Sequence, residues 1–243
     1  MKLPKGLQLL FLLVFALSYS ACIDSNGGDE TVEPLPGGTQ TVGQKKNNNS
    51  SDTTSFEDLV KSYERADRLF WQKPDLVIDR LGDISQSTIA DIGAGSGYFA
   101  RRLAHKAKRV IAIDIDEQFI EFMDSIKLVE LPKEIQGRFE TRLATPTDPK
   151  LHDNEVDVVL IVNTYMLMSD RIDYLRRLKQ GLKPGGRLVI VDYKKKRIAL
   201  ANPPQSIRLP LYQVENELDE AGYRLIDSDD TSLDYQYIVM AGV

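Results

Sequence analysis

Cysteine and histidine are nearly absent from this chain: one of the first and two of the second in 243 residues. The single cysteine, Cys22, excludes a disulfide within the chain. The histidines, His105 and His152, stand apart at a helix end and in a polar loop, without a partner at metal-ligand spacing, so no metal site is expected. A basic excess is also lacking. Lys and Arg total 31 against 36 Asp and Glu, and the net charge of −5 argues against a nucleic-acid surface as the main feature. What is there is globular: 42% apolar and 28% charged residues, in a length that suits one α/β domain with additions.

The chain opens with Lys2 and Lys5, an apolar run over residues 7–17, then Ser20, Ala21 and Cys22. The run is short for a membrane span and has the shape of a secretory signal over residues 1–21. Its small residues before Cys22 resemble a bacterial lipoprotein signal, in which that cysteine is lipidated, although Tyr19 stands where such signals carry an aliphatic residue. An ordinary cleaved signal and an uncleaved anchor are the alternatives. Each of the three sends the rest of the chain out of the cytosol, so the expected address is the cell envelope, with a membrane contact through Cys22. Residues 22–54 are rich in Gly, Asn, Asp, Thr and Pro, and read as a tether too polar to fold. The folded domain is expected over residues 55–243.

The chemistry centres on residues 89–104, IADIGAGSGYFARRLA. An apolar run ends in Asp91, glycines come next at Gly93, Gly95 and Gly97, and a helical pattern starts at once, which predicts a strand, a tight turn and a helix N-terminus facing a ligand. Glycine is required where the backbone turns sharply against that ligand. A dinucleotide fingerprint would place a glycine at position 98, which is Tyr98 here. A second apolar run, residues 110–113, ends in Asp114, where a neighbouring parallel strand delivers a carboxylate to ribose hydroxyls.

These motifs are similar to those of the class I S-adenosylmethionine-dependent methyltransferases. The likeness covers about three quarters of the chain, through DIGAGSGYFARRLA, VIAIDID, VDVVLIVNTYMLM and LKPGGRLVIVDY, then ELDEAGYRL and YQYIVM. The resemblance implies a Rossmann-like α/β fold, with a seven-stranded, mostly parallel sheet, helices on both faces and an antiparallel last strand. It implies S-adenosyl-L-methionine across the strand ends, contacted by Asp91, Gly93, Ala94, Gly95, Gly97, Tyr98, Asp114, Ile115, Thr145 and Asn163. Thr145 stands where relatives commonly place an acid for the adenine amino group, and Asn163 is the polar candidate near the methyl group.

The remaining pattern fits that frame. Ser55 opens a helix with Asp58 at the capping-box position, and Pro74 starts another that stops at Gly82. Arg65, Arg68 and Trp71 between them read as a solvated arginine face with a packing tryptophan, or as a substrate face. Met166, Leu167 and Met168 read as core. Helices are expected over residues 98–106, 117–129, 170–182 and 211–221, and strands over 137–143, 156–162, 187–191, 223–226 and 235–240. Lysine, proline and two glycines at 183–186 read as a stop between helix and strand. Residues 194–197, KKKR, read as a solvated cluster or an attractor for an anionic partner.

Methyl transfer from a sulfonium releases a neutral leaving group, so alignment does most of the work and no triad is required. Tyr165, Asp192 and Tyr193 stand at strand ends on the binding edge. Three functional readings stand open: a methyltransferase for a small-molecule or lipid-like acceptor, an envelope nucleoside-binding protein of the same fold without turnover, and a nicotinamide oxidoreductase, which Tyr98 disfavours.

Overall fold

The computed structural model describes residues 55–200 and 202–243, and the expected signal, Cys22 and tether lie outside them. Ser55 accepts the Asp58 N–H at 3.2 Å and so caps α1 (Phe56–Tyr63). A short α2 (Arg68–Trp71) comes next, then α3 (Pro74–Asp79), with Pro74 at its first position. The α2 turn lies in a stretch whose pattern marks only a helix break, because four residues are too few to show a period.

Seven strands form one sheet: β1 (Thr88–Ile92), β2 (Arg109–Asp114), β3 (Phe139–Leu143), β4 (Val156–Val162), β5 (Leu182–Tyr193), β6 (Arg224–Asp229) and β7 (Gln236–Gly242). Their spatial order is β3-β2-β1-β4-β5-β7-β6. The first five run parallel, and β7 runs antiparallel between β5 and β6. The connecting helices are α4 (Tyr98–Ala104), α5 (Glu117–Glu130), α6 (Lys133–Gln136), α7 (Arg171–Gly181) and α8 (Leu211–Glu220).

Both faces of the sheet are covered, which is why its strands read as unbroken apolar runs. Val158 and Leu160 of β4 pack toward Phe99 and Leu103 of α4 and Met123 of α5. Val159 and Ile161, one residue out of step, pack toward Leu175 and Leu178 of α7 and Val214 of α8. The chain winds from β1 out to β3 and then returns to β4 on the other side of β1. That reversal opens a crevice at the carboxyl ends of β1 and β4, where open α/β sheets take their ligands.

One boundary differs from the sequence reading. The Lys183-Pro184-Gly185-Gly186 stretch is inside β5 rather than ahead of it. Val156 pairs with Leu182 and Val158 with Arg187, so the extra residues bulge out opposite Asp157. A Cβ on Gly186 would stand 3.0 Å from the Asp157 carbonyl oxygen, and the glycine lets the bulge close. Lys194 is a second correction. It is buried, and its ammonium donates to the carbonyls of Asp230 at 2.8 Å and Leu233 at 2.7 Å, so only Lys195, Lys196 and Arg197 of the basic run are solvated.

Candidate active site

The loop from Gly93 to Gly97 turns at the end of β1, and all three glycines have positive φ, at 70°, 54° and 78°. The N–H groups of Gly93 and Ala94 both donate to the Ile113 carbonyl, at 2.8 and 3.0 Å, which ties the loop to β2. Gly93 also lies against Thr164, where an added Cβ would come within 2.4 Å of the side chain. A Cβ on Gly95 would instead meet the Tyr63 ring at 3.0 Å. Asp114, at the end of β2, receives the Gly95 N–H on Oδ2 at 2.7 Å and the Asp116 N–H on Oδ1 at 3.1 Å. Burial raises the pKa of its carboxyl, and these backbone donors work against the rise.

The loop borders a cavity of about 730 Å³, within the size range of small-ligand sites. Every expected contact residue except Gly97 lines it; Gly97 packs behind, its Cα facing Met123 of α5. Thr145 reaches the cavity from a two-residue bridge in which it and Asp148 exchange backbone hydrogen bonds at 3.1 and 3.2 Å. Asn163 has φ 58° at the end of β4, and its Oδ1 accepts from Gln236.

Two cavity charges have no ion pair among the described residues. Asp91 is 2% exposed, and its Oδ2 receives no hydrogen bond among the described residues. Burial raises its pKa to about 7 against a lowering contribution from the Ala100 N–H in the first turn of α4. Arg68 also lines the cavity, 3.9 Å above the Tyr98 ring, with Arg102 3.8 Å from the centroid of the same ring. Its guanidinium donates to Gln72 Oε1 and the Tyr63 carbonyl, and no carboxylate pairs with it among the described residues. Burial lowers its pKa, as expected for a desolvated cation.

Residues 62–71 form the roof of this cavity. Glu64 fastens it, bonding both Ser96 of the glycine loop and Arg101 of α4, while Tyr63 stacks on Phe119 of α5 at 5.4 Å between centroids. Arg65, Arg68 and Trp71 therefore face the cavity and not bulk solvent alone. Trp71 stands 6.0 Å from the Tyr193 ring and 6.4 Å from Tyr235. Of the other strand-end residues, Tyr193 lines the cavity, but Tyr165 is fully buried with its hydroxyl on Glu217 at 2.6 Å. Asp192 is likewise sealed, each carboxylate oxygen holding a backbone N–H, from Met166 and Tyr193. Met166, Leu167 and Met168 line the cavity; Met166 belongs to the core and Met168 packs against it, as expected, whereas Leu167 is 64% exposed. Tyr63 is a further wall residue that its place on the apolar face of a helix conceals, and an aromatic side chain in a helix ahead of the first strand was the signal.

Comparison with known proteins meets this geometry at the same strands. Residues 90–190 match the methyltransferase domain family. The matched stretch begins within β1 and reaches into β5. An uncharacterized methyltransferase of Mycobacterium bovis is 30% identical over 137 residues, which are 56% of this chain and 51% of that protein. The chain thus spans about half the length of the first relatives it matches. The demethylmenaquinone methyltransferase of Tropheryma whipplei is 29% identical over 189 residues, 74% of this chain and 72% of that one. The crystal structure of a SAM dependent methyltransferase from Aquifex aeolicus superposes with a TM-score of 0.69 at 24% identity, covering 79% of this chain and all of that one. The fold is that of the S-adenosylmethionine-dependent methyltransferases, and S-adenosylmethionine is the cofactor that the domain and its structural neighbours imply. The site fits such a molecule: the Asp91 carboxylate, with an unbonded oxygen, suits an ammonium, and Arg68, without an ion pair among the described residues, suits a carboxylate.

Proposed function

We propose that the protein is a methyltransferase that transfers the methyl group of S-adenosylmethionine to a small-molecule or lipid-like acceptor. The observation that carries this reading is that Asp91, a buried carboxylate with an unbonded oxygen, and Arg68, a guanidinium without an ion pair among the described residues, both line the cavity at the glycine loop, within the stretch that matches the methyltransferase domain family. When bound, the cofactor supplies an electrophilic methyl on a sulfonium. The chain's own residues then have four tasks. Asp91 and Arg68 hold the amino-acid end, Asp114 accepts from ribose hydroxyls beside its bond to Gly95, Ile115 and Thr145 border the base, and the roof over residues 62–71 excludes water. Asn163, Trp71 and Tyr193 orient the acceptor.

Calorimetric titration of the full chain with S-adenosylmethionine, S-adenosylhomocysteine and NAD tests this. Binding of the first two and not the third is the expected result, and binding of neither sinks the proposal. For the address, we infer that Cys22 carries a lipid and holds the domain at an envelope membrane through residues 22–54.

A further inference from the structure

The two sides of α2 meet different surroundings. Arg68 and Trp71 line the cavity, while Leu69 and Phe70 between them point to solvent, 52% and 80% exposed. A four-residue helix cannot cover both of its sides, and two large apolar side chains in succession stay open to water.

A cationic run stands beside them. The Trp71 ring is 6.0 Å from that of Tyr193, and Lys195, Lys196 and Arg197 begin two residues beyond Tyr193, all three exposed and without an ion pair among the described residues. The Lys195 carbonyl accepts from Gln205 at 2.7 Å, and the loop between them carries Leu200 and Pro203 of the cavity wall. Neighbouring carboxylates do not cancel the run. Asp67 is paired with Arg65 and Asp230 with Lys194. Asp75 and Asp234, which have no ion pair among the described residues, are offset by Arg68 and by Lys73, whose ammonium bonds the Ser232 carbonyl.

We propose that Leu69, Phe70 and residues 195–197 form a docking face for an anionic lipid bilayer, a contact made by the folded domain itself and separate from any lipid on Cys22. Leu69 and Phe70 enter between the headgroups, and the three cations lie against lipid phosphates. Two side chains offer too little apolar area for a stable protein partner, whereas a bilayer takes up single side chains and adds their contributions to those of nearby cations. The net charge of −5 makes the face selective, because an anionic surface repels the chain in other orientations and attracts this one. Docking then brings the loop that carries Leu200 and Pro203 to the lipid surface.

Trp71 is the only tryptophan in the chain, so its fluorescence reports on this face whatever the N-terminal segment does. The test mixes the full chain with vesicles of phosphatidylcholine and phosphatidylglycerol, brominated toward the headgroup end of their acyl chains, and follows quenching of Trp71. Strong quenching is expected with these anionic vesicles, little with phosphatidylcholine alone, and the effect is expected to fade as salt is added. Phe70→Ser is expected to raise the lipid concentration for half-quenching about tenfold, through loss of one inserted ring, and Lys196→Gln about fivefold, through loss of one cation. Both positions are exposed, so both variants are expected to melt with the wild type. Quenching that neither variant weakens, or that is equal on neutral vesicles, overturns the proposal. Trp71 unquenched by every vesicle overturns it as well, whether the protein sediments through its N-terminal segment or stays in solution, and would leave the face to a protein partner.

Discussion

Burial holds the Asp91 carboxyl up at about 7, far above its ordinary value, and this sets a sign for pH dependence. Between about pH 4 and pH 7 the folded chain keeps a proton that the unfolded chain has released, so stability falls as pH rises through that window. Asp91→Asn removes that contribution. The variant is expected to melt higher than the wild type at pH 8 and to show a smaller loss of melting temperature between pH 5 and pH 8. The same substitution removes an ammonium partner and should weaken S-adenosylhomocysteine at pH 8, so one residue trades stability for binding. Arg68 is tested by subtraction. Wild type should prefer S-adenosylhomocysteine over 5′-methylthioadenosine, which lacks the amino-acid end, and Arg68→Met should lose about 1.5 to 3 kcal/mol on the first and little on the second. Equal losses on both would assign Arg68 to packing alone. Asp114→Ala is expected to cost a similar amount on both ligands, because both carry the ribose.

Among the elements, the glycine turn and the roof meet at the Tyr63 ring over Gly95 and at the Ser96 hydroxyl on Glu64. A side chain at Gly95 pushes on a surface ring and not on the core, so Gly95→Val is expected to fold, with modest loss of melting temperature, and to lose measurable S-adenosylhomocysteine binding. Gly93→Val strikes Thr164 and the junction with β4, and is expected to destabilise the fold as well. Normal ligand binding by Gly95→Val would reduce the loop to a turn. The loop itself was legible because its residues are adjacent in sequence and glycine declares positive φ. The roof was not. Arg68 and Trp71 belong to a four-residue helix, and their direction is fixed by Glu64 reaching Arg101 and by Trp71 packing near Tyr193 and Tyr235, contacts that no local pattern encodes. Lys194 was hidden for the same reason, since a charged run reads as solvated until the carbonyls of Asp230 and Leu233 come round to meet it.

Over the molecule as a whole, the sheet order arises from features the sequence displays: apolar runs buried on both faces, acidic residues at two strand ends and a polar exit after β4. The β5 bulge did not, because a proline and two glycines mark a break until Val156 and Arg187 fix the register around them. The envelope address makes its own prediction. The full-length protein should sediment with membranes and incorporate labelled fatty acid, and Cys22→Ala should abolish the label. Wild-type protein recovered in the soluble cytosolic fraction with residues 1–21 attached would end that reading. The placement of β7 bears on how such a chain is made. Residues 236–242 fill the slot between β5 and β6, so the sheet closes only after the other six strands have been made. Until then Leu188 to Val191 have no neighbour on one side, and the growing chain stays open. Late closure of this kind keeps a polypeptide threadable, as the envelope address we propose requires.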